Sequence, residues 1–209
     1  MADVLVEVWS DVLCPWCYIG SRNLATARDR SEHDVTVVWR AFQLDPGLGT
    51  EGVTNRERLV SKFGGEANYE AATDRVRAAG AAVGIDFDPS STLAANTLRA
   101  HQLAAIAADE GKADPVVAGL FSAQFELGRN VADPVTLTEV ATAAALDDPS
   151  GAVEAVLADE RLAGVQADIA DAAELGIRGI PTFVAERRVG VSGAVPPATL
   201  MDLFDRAVG

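Results

Sequence analysis

The chain changes its hydrophobic rhythm five times. Near the N-terminus, Val4-Leu5-Val6-Glu7-Val8-Trp9 is an almost unbroken apolar run, which predicts a buried strand over residues 4–10. Residues 15–30 switch to helical spacing, with Trp16, Ile19, Leu24 and Ala27 on one side and Arg22, Arg28 and Arg30 mostly on the other. The β-branched and aromatic stretch 35–42 predicts a second strand. Strand, helix and strand over this length form a βαβ unit, and its crossover implies parallel strands.

From about residue 54 to 175 the strand signal all but disappears. This alanine-rich stretch predicts six or seven helices, broken at Gly64-Gly65, Gly84, Gly111, Gly128 and Gly151. The Asp-Pro pairs before Val116, Val135 and Ser150 read as helix starts, because the carboxylate caps free N–H groups and proline is tolerated at the first helical position. Strand character returns at Ile180-Pro181-Thr182-Phe183-Val184, followed by a polar turn at Glu186-Arg187-Arg188 and a short strand over 189–193. Residues 197–208 close the chain as an amphipathic helix with Leu200, Leu203, Phe204 and Ala207 as its apolar stripe. The pattern predicts one α/β domain built from residues 1–45 and 176–209, interrupted by a helical insertion domain over 46–175.

Composition adds exclusions. The 209 residues are 49% apolar, enough for a large core. A formal net charge of −14 argues against nucleic acid and against anionic membrane surfaces as partners. No stretch approaches the ~20 apolar residues of a membrane span. Met1-Ala2-Asp3 runs straight into the first strand with no basic segment and no cleavage site, so a cytoplasmic location is the expectation.

The two cysteines change the picture most. Cys14-Pro15-Trp16-Cys17 falls where the first strand gives way to a helix, and Pro15 suits the first helical position. The first turn of a helix offers unpaired N–H groups and the positive end of the dipole, an environment that favours thiolate over thiol. Two intervening residues bring both sulfurs to one turn. A zinc site needs four ligands, and here there is no second cysteine pair, while His33 and His101 do not form a spaced His pair. Metal is therefore not expected. Inert burial remains as the alternative to redox chemistry.

The second constellation is Gly176-Ile177-Arg178-Gly179-Ile180-Pro181-Thr182-Phe183-Val184. An apolar residue, Pro and Thr before a buried strand resembles the cis-proline loop of the thioredoxin superfamily. The front motif, Ser10-Asp11-x-x-Cys14-Pro15-Trp16-Cys17-Tyr18-Ile19-Gly20, resembles the DsbA-like group. Within it the chain is most similar to the FrnE-like branch, related to 2-hydroxychromene-2-carboxylate isomerase and kappa-class glutathione transferases. The resemblance spans the whole chain, including an insertion motif like Asn96-Thr97-x-x-Ala100-His101. It implies a thioredoxin-like fold, with the helical insertion between an N-terminal βαβ half and a C-terminal ββα half. It also implies that Pro181 is cis and lies against Cys14, and that the Ile180 backbone pairs with an extended substrate.

The implied activity is thiol–disulfide exchange, with Cys14 as nucleophile and Cys17 as the resolving thiol. The isomerase and transferase relatives generally carry serine in place of Cys14 and activate an external thiol. This chain keeps both cysteines, but a thiol-dependent isomerase or transferase stands as the alternative. In a reducing compartment, reduction or reshuffling of disulfides is more natural than net oxidation. The substrate would be a disulfide-bearing protein or small molecule. A separate reducing partner would restore the dithiol. No cofactor need be bound, although a low-molecular-weight thiol can serve as co-substrate. Asp11 can relay protons to Cys17 or cap the helix. Glu7 is either a buried acid beneath the cysteines or an exposed residue on the opposite strand face. Trp16 is expected to tune the motif by packing. Phe63, Tyr69, Phe121 and Phe125 stand at helical spacings that suit a core better than a substrate groove, and His101 reads as an ordinary histidine of the insertion.

Overall fold

A computed structural model of the protein describes residues 2–87 and 92–209. The expected βαβ unit is formed by β1 (Asp3–Ser10), α1 (Pro15–Arg30) and β2 (Asp34–Ala41), with β1 and β2 parallel and Val6 opposite Val37. Next come β3 (Val53–Thr54), α2 (Asn55–Lys62), α3 (Glu66–Ala81), β4 (Leu93–Ala94) and α4 (Leu98–Asp109). They are followed by α5 (Ala113–Phe125), α6 (Pro134–Ala143), α7 (Pro149–Leu157) and α8 (Leu162–Glu174). The chain ends on β5 (Thr182–Ala185), β6 (Val189–Ser192) and α9 (Pro197–Val208).

The two ends of the chain share one sheet, ordered β2-β1-β5-β6, in which β5 and β6 run antiparallel to their neighbours. Alternation along β1 sends Val4, Val6 and Val8 to one face, where they meet Leu24 of α1 and Leu200, Leu203 and Phe204 of α9. The opposite face carries Glu7 and Trp9 and is covered by α8, whose Asp168 carbonyl accepts the Trp9 indole N–H at 3.2 Å. A second core joins α4 to α7 and extends to Val12, Cys17, Tyr18 and Ile19 at the N-terminal end of α1. Tyr18 stacks on Phe121, with ring centroids 5.2 Å apart at 11°, and thereby ties α1 to the insertion. The fold is thioredoxin-like, with the helical segment between its halves.

Three local expectations need correction. The insertion is not wholly helical: β3 and β4 form a two-stranded antiparallel pair, too short for any periodicity to reveal. Asp133 and Asp148 do cap α6 and α7, but Asp114 does not cap α5, which opens at Ala113. Instead Asp114 accepts the Trp39 indole N–H at 2.7 Å and pairs with Arg28. Gly151 is not a break either. It lies in the first turn of α7, where a Cβ would collide with the capping Asp148 carboxylate while its N–H donates to that carboxylate at 2.9 Å.

Candidate active site

Cys14 is the N-cap of α1 and Pro15 its first residue. The Asp11 carbonyl accepts the Cys14 N–H at 2.9 Å, closing a tight turn between β1 and α1. The Cys14 carbonyl then accepts the N–H of Cys17 at 3.0 Å. Both cysteines are free and buried, with Cys14 5% and Cys17 1% exposed. Their surroundings differ. Cys14 lines a cleft of about 870 Å³ between α1, the α2–α3 hairpin and the loop before β5, whereas Cys17 points back into the second core. Burial, then the neighbouring Cys14, push the Cys17 thiol well above its ordinary value, and the Asp11 backbone and the Ser10 side chain oppose that only in part.

The loop from the far end of the chain completes the site. The Ile180–Pro181 peptide is cis, and the Ile180 carbonyl lies 3.9 Å from Cys14 Sγ. Thr182 Oγ1 donates to the Gly179 carbonyl at 2.7 Å, and the Gly193 N–H donates to the Pro181 carbonyl at 2.7 Å, so the loop is braced from both sides. Trp16 is 40% exposed at the cleft rim. The four aromatic residues divide: Phe121 is core, Phe125 and Tyr69 are buried and also border the cleft, and Phe63 lines it while 40% exposed. Arg58, Lys62 and Arg75 line it too, and no carboxylate does so among the described residues, in a chain with 31 acidic and 17 basic residues.

Asp11 is fully buried but does not cap α1. Its two oxygens accept the Leu13 N–H at 3.2 Å and the Leu44 N–H at 2.6 Å, which stitches the cysteine turn to the segment leaving β2. His101 Nε2 lies 3.0 Å from the Phe42 carbonyl and 3.7 Å from Asp11. Asn96 holds the same segment by donating to the carbonyls of Pro46 and Leu48. The insertion motif thus grips the loop beside the cysteines, a role that no spacing in the sequence reveals. Among the described residues, no group of three or more His, Cys, Asp or Glu could hold a metal ion.

Glu7 is the buried acid of the two expectations. It is 2% exposed, so it is not a surface residue. Its partners are the guanidinium groups of Arg40 and Arg187, both at 2.7 Å. Burial alone would raise its carboxyl. The Arg187 and Arg40 hydrogen bonds outweigh that and hold it below the ordinary glutamate value of 4.5. Glu7 is therefore a structural anchor that joins β1 to β2 and to the turn after β5. A depressed folded-state value gives stability that is present above the unfolded value and lost as pH falls through the folded one. Glu7→Gln is expected to lower stability at pH 7 by about 2–3 kcal/mol in urea unfolding. The gap should narrow once pH drops below the ordinary glutamate value. A gap equally wide at pH 3 and pH 7 would contradict the assignment.

The comparisons give the family and the fold. The sequence profile of the DSBA-like thioredoxin domain matches residues 5–205. A probable DsbA oxidoreductase from Streptomyces coelicolor is 34% identical, with a TM-score of 0.90 over 99% of this chain and 90% of its own. The cytosolic disulfide reductase DsbM from Pseudomonas aeruginosa, solved with GSH, is 22% identical, with a TM-score of 0.62 over 97% of this chain and 95% of its own. A 2-hydroxychromene-2-carboxylate isomerase is 15% identical, with a TM-score of 0.73 over 98% and 96%. The last two likenesses concern the fold.

Proposed function

Because this chain belongs to the DsbA-like thioredoxin domain family, we propose that it is a cytoplasmic thiol–disulfide oxidoreductase that reduces or reshuffles disulfides through Cys14 and Cys17. The observation that carries the reading is the division of labour between the two sulfurs. Cys14 lines the open cleft beside the Ile180 carbonyl, and Cys17 waits one turn behind it, out of reach of solvent. In the first step the Cys14 thiolate attacks one sulfur of the substrate disulfide. A Cys14–substrate bond forms, the substrate S–S bond breaks, and the other substrate sulfur leaves as a thiolate. In the second step the Cys17 thiolate attacks Cys14 Sγ, the mixed disulfide breaks, and the second substrate thiolate leaves. Two electrons pass to the substrate, and the protein is left with a Cys14–Cys17 disulfide. An extended peptide in the cleft would meet the Ile180 backbone as an added strand meets a sheet edge.

The cleft also supports a small anionic thiol as the reductant that restores the dithiol. Lys62 and Arg75 have no ion-pair partner among the described residues, and no carboxylate opposes them in the lining. The thiol-dependent isomerase or transferase reading draws on the same feature. The retained pair Cys14 and Cys17 favours exchange chemistry, because an enzyme that activates an external thiol needs neither.

Insulin reduction by dithiothreitol tests the proposal. The purified protein is expected to shorten the lag before insulin B-chain precipitation at least severalfold over the uncatalysed reaction. An unchanged lag at micromolar protein, with the fold intact by circular dichroism, would refute it.

A further inference from the structure

The α2–α3 hairpin that walls the cleft has its charges sorted. It carries four carboxylates, Glu57, Glu66, Glu70 and Asp74, and none of them lines the cleft. Glu66 and Asp74 pair with Arg56 and Arg77 instead, and Glu57 accepts the Thr54 hydroxyl proton. Three of the hairpin's five cations do line the cleft, namely Arg58, Lys62 and Arg75. Arg58 is held by Asp45 at 3.1 Å. Lys62 and Arg75 have no anionic partner among the described residues, in a chain of net charge −14.

The same hairpin leaves an apolar face uncovered. Tyr69, Ala72, Thr73 and Val76 fall on one side of α3 at helical spacing, and all four line the cleft. Yet α2 buries no residue, and α3 buries only Tyr69 and Gly80. Trp16, Leu44 and Phe63 line the cleft too and are exposed. Apolar surface gathered in one place marks a site that something covers.

The chemistry of the lining describes the occupant. The Ile180 carbonyl, 3.9 Å from Cys14 Sγ, is placed to accept a peptide N–H beside the reactive sulfur. The apolar walls take side chains but give a compact polar molecule few hydrogen-bond partners. Unpaired cations on the hairpin complement carboxylates and repel amines. We infer that the cleft selects protein substrates whose reactive cysteine lies in an extended apolar segment bearing carboxylates, and that Lys62 and Arg75 set this preference. The inference rests on the oxidoreductase reading and adds the substrate class to it. Both cations are exposed, so their attraction weakens as salt is added.

Synthetic peptides with a single cysteine carried as a 2-pyridyl disulfide test it. Attack of the Cys14 thiolate on the peptide sulfur forms a Cys14–peptide disulfide, breaks the original S–S bond and releases the same neutral pyridine-2-thione from each peptide. With leucines around the cysteine, a peptide bearing two glutamates should react about tenfold faster at low salt than its glutamine counterpart, and the gap should shrink at high salt. Lys62→Glu and Arg75→Glu should each cut this rate ratio at least about threefold. Arg77→Gln, which alters a cation outside the cleft, should leave the ratio alone. Replacing the leucines by serines should slow the glutamate peptide severalfold. A wild-type ratio near one, or a ratio that survives both charge reversals, would overturn the inference. So would a glutamate–serine peptide, or the 2-pyridyl disulfide of glutathione, that reacted as fast as the glutamate–leucine peptide, since the site would then be one for small polar anions. Release no faster from any peptide than with free cysteine would instead overturn the oxidoreductase reading beneath it.

Discussion

Serine at position 14 is expected to take insulin reduction down to the uncatalysed background, whereas serine at position 17 should stop the protein after a single event with substrate still attached. The contrast follows from geometry. A serine hydroxyl does not perform thiol–disulfide exchange, and Cys14 is the sulfur that lines the cleft. With Cys14→Ser, the remaining thiol is 1% exposed and held protonated by its burial, so it cannot substitute as the attacker. With Cys17→Ser the first step is untouched and the mixed disulfide has no internal thiol to resolve it. Cys17→Ser incubated with cell extract should therefore carry adducts on Cys14 that survive a non-reducing gel and are released by dithiothreitol, and wild-type protein should carry few. Insulin reduction that persists in Cys14→Ser would overturn the assignment. So would turnover by Cys17→Ser at the wild-type rate without external thiol.

The parts of this site that could be read from the sequence are those encoded in adjacent residues. A β-branched run, a proline at the first helical position and two cysteines one turn apart define β1, α1 and the reactive pair without any distant information. Pro181 was legible only through a family likeness, since nothing in its own neighbourhood links it to Cys14 across more than 160 residues. What stayed hidden depends on which elements cover which face. Alternation places Glu7 opposite Val6 and Val8, but it cannot show that α8 covers that face or that Arg40 and Arg187 converge on the carboxylate. The carboxylate of Asp11 has its strongest partner in the Leu44 N–H, which only the exit path of β2 brings near. His101 sits in an ordinary helical stretch, and its value comes from the Phe42 carbonyl and the Asp11 side chain it meets. Asp114 shows the same limit from the other side. Its local pattern is that of a cap, and two distant donors, Trp39 and Arg28, claim it instead.

Gly20 should be the most sensitive position in the site apart from the cysteines. It lies inside α1, one turn beyond Cys17, where glycine costs a helix about 1 kcal/mol relative to alanine. A Cβ there would stand 2.9 Å from Pro181 Cγ and 3.2 Å from Phe183 Cζ. Neither neighbour can yield easily: Phe183 is fully buried, and the Pro181 loop is braced through Thr182 and Gly193. Overpacking of this kind costs about 1–3 kcal/mol, enough to cancel the propensity gain of Gly20→Ala and reverse it. Gly20→Val brings more atoms into the same space and gains less propensity. It should destabilise the protein by about 3 kcal/mol and push the loop off α1, carrying the Ile180 carbonyl away from Cys14. On the proposed reading a peptide substrate would use that loop as a strand partner, whereas a small aromatic disulfide would not. The rate of insulin reduction should therefore fall at least about tenfold in Gly20→Val, while the attack of Cys14 on the small aromatic disulfide 5,5′-dithiobis(2-nitrobenzoate) falls much less. Gly164→Ala is the matched control, since nothing lies within 4 Å of a Cβ on that glycine of α8. It should stabilise the helix by up to about 1 kcal/mol and leave both rates alone. If Gly20→Val reduced insulin as fast as the wild-type protein, close approach of the proline loop to α1 would not be what prepares this cleft for a peptide.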